Sequence, residues 1–205
     1  MNNIQLPKHF FDENPLIEFS TAMFTHFLMV TIKTSGFYEQ VNKLTISAME
    51  KPRHEQYLAE KEYLTNLNKP EDIVSYMRKI KEPLNRELLI KKAIEYQDDV
   101  MPLVLKKICT SGHDIFIENA AILIANADEK YTEQLYAIFP DIRNAYARSE
   151  LCIVFGVNKK VEYIPLLLEQ HKRMQKENID ANYEQGPLLA LYLIYEKEEQ
   201  ILSYV

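Results

Sequence analysis

Apolar residues along this chain recur three and four positions apart in short runs, and no stretch alternates in the way a half-buried strand does. The pattern predicts three helices in the first third. One opens at Pro15 behind Asn14 and runs to about Thr34, where Ser35-Gly36 stops it. A second runs from about Phe37 to Met49, and a third from Pro52 to about Leu67. On the third, Tyr57, Leu58, Tyr63 and Leu64 are expected on the buried face, with the Glu and Lys residues outward.

From residue 69 the chain becomes short amphipathic segments separated by a few polar residues. They fall at about 70–81, 84–97, 99–110, 114–127, 129–139, 142–156, 159–177, 185–197 and 198–204. Pro70, Asp98 or Asp99, Asp114, Asp128 and Asp141 stand near the starts, where a carboxylate can accept free backbone N–H groups. The expected class is all-α.

The segments repeat. Ala93-Ile94, Leu123-Ile124, Ile153-Val154 and Leu193-Ile194 are spaced by 30, 30 and 40 residues. Met77-Ile80, Leu105-Ile108, Leu135-Ile138 and Pro165-Leu168 are spaced by 28, 30 and 30. The polar run from Lys172 to Tyr183 accounts for the long interval as an insertion. Two helices per unit of about 30 residues cannot bury their apolar faces alone, so neighbouring units must stack. In that register Ile94, Ile124, Val154 and Ile194 occupy equivalent buried places. The final Gln200-Ile201-Leu202-Ser203-Tyr204-Val205 reads as the opening of a further helix that folds back over the end.

Residues 100–126 read VMPLVLKKICTSGHDIFIENAAILIAN and residues 130–156 read KYTEQLYAIFPDIRNAYARSELCIVFG. An apolar helix, a turn with Asp and then an Ala/Leu-rich helix resembles the HEAT-like repeat family. Asp141 and Arg143 match the family's Asp and Arg. Asp114 matches in the first copy, but Phe116 or Ile117 stands in place of the Arg. The resemblance implies an α-α superhelix, a HEAT-like or armadillo-like solenoid, over residues 69–205, with residues 1–68 as an N-terminal helical cap. A branch of that family repairs alkylated bases with Trp residues in a basic groove. This chain has no Trp.

Composition removes several functions. Gly36, Gly112, Gly156 and Gly186 are the only glycines, too far apart for either phosphate-binding glycine loop. The histidines at 9, 26, 54, 113 and 171 form no short metal motif, and Cys109 and Cys152 form no CxxC. We therefore expect no metal, no cofactor and no catalytic residue, and two free thiols in a reducing, cytoplasmic setting. No secretory signal is read at residue 1 onward, and Phe19 to Ile32 would span only about 21 Å as a helix, so no membrane span is expected.

Net charge is −6, and residues 111–205 carry the excess, with 15 acidic against 9 basic residues. That balance disfavours nucleic acid and favours a basic partner. The reading is a non-catalytic protein-binding scaffold or adaptor, a monomer or weak homodimer. Its exposed binding residues are expected at Glu118, Asn119, Arg148 and Tyr192 on the second helices of the pairs. A second reading is an enzyme or small-ligand-binding protein with its site between residues 1–68 and the solenoid, using His26 and His54. A third is nucleic-acid binding through the stripe from Arg78 to Lys107, with 8 basic and 5 acidic residues.

Overall fold

The computed structural model describes the backbone of residues 36–177 and 181–202, and the side chains of 42–177 and 181–195. The helix expected at 15–34, with His26, lies outside the described residues. Ten α-helices make up the described chain: α1 (Gly36–Ser47), α2 (Lys51–Thr65), α3 (Pro70–Tyr76), α4 (Arg86–Glu95), α5 (Gln97–Ile108), α6 (Asp114–Asn126), α7 (Glu129–Ile138), α8 (Ala145–Asn158), α9 (Ile164–Glu177) and α10 (Gln185–Leu202). Short 3-10 turns at Pro83–Asn85, Phe139–Asp141 and Val161–Tyr163 lead into or out of them. No strand occurs among the described residues.

Helix packing follows a next-but-one order. Helices α2, α4, α6, α8 and α10 each lie against the following member of that row, and α3, α5 and α7 do the same alongside. Sequence explains which helices sit in the middle. α6 is apolar on all sides from Phe116 to Ile124, apart from Glu118 and Asn119, and every residue of α8 from Ala147 to Gly156 is buried. A helix apolar all round must be covered on all sides. α8 and α10 approach backbone to backbone. A Cβ on Gly156 would lie 2.5 Å from Ala190 Cα, and one on Gly186 only 2.2 Å from the Ser149 carbonyl oxygen. Two of the scarce glycines therefore serve close packing rather than turns. The left-handed cap of α8 falls instead on Lys159, at φ 54°.

Three of the four marker residues are buried as expected, Ile124, Val154 and Ile194 on α6, α8 and α10, whereas Ile94 on α4 is only half-buried. Leu64 and Leu67 share one continuous apolar core with residues from Ile73 to Ile194.

Several expectations need correction. On α2 the buried line is Tyr57, Glu60 and Leu64, while Leu58 and Tyr63 are exposed. Spacings of three and four keep that line on one face, and Leu58 and Tyr63 each stand one residue, about 100°, from a member of it. α3 ends at Tyr76 rather than near 81, because Glu60 captures the chain beyond it. Glu60 Oε1 accepts from Tyr76 OH (2.9 Å) and the Lys81 N–H (2.8 Å). Its Oε2 accepts from the Glu82 N–H (2.9 Å) and Asn85 Nδ2 (3.1 Å). Arg53 then grips Glu82 through Nε and Nη2 at 2.9 and 3.0 Å.

Helix starts differ too. No side-chain cap bond forms at the starts of α5, α6 or α7, and Asp98 instead accepts from Lys130 Nζ and Tyr131 OH. Asn144 caps α8, accepting from the Ala147 N–H at 2.9 Å. Residues 198–202 form no separate element, since α10 continues unbroken to Leu202, and the rest of the expected segment lies outside the described residues. Nothing in Glu196-Lys197-Glu198-Glu199-Gln200 breaks a helix.

Candidate functional site: a carboxylate cluster across α4, α6 and α8

Arg86, Glu118 and Glu150 recur at intervals of 32 residues, and Asp114 and Tyr146 are also 32 apart. Because α4, α6 and α8 pack side by side, residues at this interval become neighbours in space. Arg86 Nη2 lies 3.1 Å from Glu118 Oε2. Tyr146 OH donates to Glu118 Oε1 at 3.3 Å. Glu118 is thereby held from the helix before it and the helix after it. One turn beyond Tyr146, Glu150 is 2% exposed.

Burial sets the protonation of this group. The Glu150 carboxyl is pushed up to about 8, first by burial and then by the charges of Glu118 and Asp114. At neutral pH it keeps its proton. The Tyr146 hydroxyl is pushed far above its ordinary 10 by burial, then by Glu150 and Glu118. Its ring lies 6.1 Å from that of Tyr183. The cluster gathers three carboxyl groups and a phenol against one guanidinium. A positive charge placed beside it would favour loss of the Glu150 proton. No group of His, Cys, Asp and Glu among the described residues is arranged to hold a metal ion.

Of the four residues expected to be exposed, only Tyr192 is, on α10 at 41%. Glu118 is half-buried at the centre of this cluster, and the other two are buried. Asn119 is wholly buried, and its Nδ2 donates to the Met77 carbonyl at 2.6 Å, pinning α6 to the end of α3. It stands one residue from Glu118, which turns it toward the neighbouring helices that enclose α6. Arg148 is 7% exposed. Two residues from both Tyr146 and Glu150, it sits about 200° away around α8 and reaches toward Glu177 of α9.

The remaining candidates disperse. His54 is half-buried, its ring 6.3 Å from that of Tyr57. His113 precedes α6 and is exposed. His171 is buried beside the Glu184 carbonyl oxygen and held below its ordinary value by burial. Cys152 is a free, buried thiol pushed up by burial, and Cys109 is free and half-buried. The basic stripe contracts to Arg78, Lys79 and Lys107. Burial lowers the Lys107 ammonium's hold on its proton, and the two neighbouring cations lower it further. No described helix is long and apolar enough to cross a membrane.

Sequence reasoning missed Arg86, Asp114, Tyr146 and Glu150 as a group. The 32-residue interval was the available signal, because it lies close to the 30-residue spacing of the core positions and so keeps these residues on neighbouring helices. No family model, curated protein or solved structure matches this chain.

Proposed function

We propose that this chain is a non-catalytic HEAT-like α-solenoid that binds a basic partner protein across α4, α6 and α8. The observation that carries this reading is the convergence of Asp114, Glu118 and Glu150 beside Arg86. The next-but-one packing of helices and the recurrence of charged positions every 32 residues support the solenoid half of the proposal. A Lys or Arg side chain of the partner would enter beside Asp114, which is exposed on the first turn of α6. Charge complementarity of this kind speeds encounter and excludes acidic competitors.

Affinity purification with the wild-type chain and with Asp114→Lys tests it. A basic protein that is captured by the wild type, survives nuclease treatment and is lost with Asp114→Lys is the expected result. Retention of the same partner by Asp114→Lys, or capture of nucleic acid alone, would overturn it.

A further inference from the structure

Away from the carboxylate cluster, the seam between α8 and α9 holds a guanidinium whose Nε–Nη2 edge lacks a close protein acceptor. Arg148 Nη1 donates to the Ile142 carbonyl oxygen at 3.4 Å. Nη2 approaches Glu177 Oε2 no closer than 3.9 Å. Nε is buried and has no partner. Nε and Nη2 form the fork that takes two oxygens of a carboxylate or phosphate side by side. Arg53 shows that fork filled in the same molecule, with both oxygens of Glu82 at 2.9 and 3.0 Å.

The surroundings do not supply the missing oxygens. Glu177 is half exposed and already gripped by Arg173, whose Nε reaches its two oxygens at 3.0 and 2.9 Å. Two guanidinium groups therefore share one carboxylate. Gln170 lies on the same edge of α9 as Arg173 and Glu177, at spacings of three and four. It is 4% exposed, and its Oε1 is also buried without a partner. A water molecule can accept from Nε, but it cannot cancel a buried positive charge. Burial and the Arg173 charge both weaken Arg148's hold on its proton, while Glu177 offsets them only in part.

We propose that the Nε–Nη2 edge of Arg148, in the α8–α9 seam, is a binding site for a small oxyanion, the carboxylate or phosphate group of a ligand. The anion lies along the fork, with Arg173 as the second cation. Glu177 competes with it for both guanidinium groups. This site is independent of the partner-binding face on α4, α6 and α8.

The Nε–H groups of the intact chain, observed by nitrogen-15 NMR, give the test. Arg148→Lys identifies the Arg148 cross-peak. Inorganic phosphate and acetate are titrated separately against chloride at matched ionic strength. A saturable shift of that cross-peak with phosphate or with acetate is expected, and the stronger of the two identifies the ligand's class. Glu177→Gln should bind the same anion several-fold more tightly. The proposal fails if neither anion moves the cross-peak beyond the chloride control. It also fails if Glu177→Gln moves the free protein's cross-peak and abolishes any response to anions, because Glu177 then fills the fork itself. If Arg148→Lys does not fold, the Arg148 cross-peak is assigned by through-bond correlation from its backbone, and the wild-type and Glu177→Gln titrations then decide the matter.

Discussion

Replacing Glu150 by glutamine removes a proton equilibrium while keeping the shape of the side chain. In the folded chain this carboxyl titrates at about 8, against an ordinary value of 4.5. Between those values the folded state keeps a proton that the unfolded state has released. Stability therefore falls as pH rises, by about 1.36 kcal/mol per pH unit. Below about pH 4.5 both states hold the proton, and the wild type carries no penalty there. From 4.5 to about pH 7 the penalty grows to about 3 kcal/mol, and above about pH 8 it levels off at about 5 kcal/mol. Glutamine does not ionise, so Glu150→Gln should match the wild type near pH 4.5 and be more stable by about 3 kcal/mol at neutral pH. Urea unfolding of both proteins at about pH 5, about pH 7 and about pH 9 reads the difference directly from midpoint and slope. Contributions of groups that do not interact with Glu150 cancel in it. A difference that stays constant with pH would refute the reasoning. So would a wild type that gains stability over the variant as pH rises, for then Glu150 is ionised and compensated in the fold.

Gly156→Ala should cost about 1–3 kcal/mol or more, because the new methyl meets the Ala190 backbone. Gly112→Ala is the control, since the nearest atom there, Asn144 Nδ2, is 3.6 Å away, and equal urea midpoints for the two variants would contradict the packing. The Glu82 carboxyl is held below its ordinary 4.5 chiefly by its hydrogen bonds from Arg53, so this pair stabilises the fold above about pH 4.5 and loses its effect as pH falls through the lower folded value. Arg53→Met should then lower the urea midpoint at neutral pH and converge on the wild type in acid, and a gap that persists in acid would show another cause. A thiol reagent should label Cys109 slowly in the native protein and Cys152 only on unfolding, given their burial. Equal native rates, or no labelling of the denatured chain without reductant, would contradict this.

Periodicity alone was enough to read the helical class and most helix positions of this protein, since an apolar stripe at a spacing of three and four residues has one regular solution. The interval near 30 residues also marked Ile124, Val154 and Ile194 as core, because burial of an apolar side chain follows directly from the pattern. Local preference had less say over where helices end. α3 stops at Tyr76 because Glu60, from another helix, captures the Lys81 and Glu82 N–H groups. α10 runs on to Leu202 where the repeat register called for a break.

Polar positions divided most sharply. Glu118 and Asn119 are adjacent and equally polar in the sequence, yet one meets Arg86 and Tyr146 while the other is sealed against Met77. Which side of α6 is open depends on how α4 and α8 enclose it, and that is a property of packing between helices. Arg148 and Glu150 make the same point, two residues apart on opposite sides of α8. The sequence determined that these charges exist at repeating intervals. Only the tertiary structure decided which of them are buried, because the free energy of a charge depends on what surrounds it in space rather than on its neighbours along the chain.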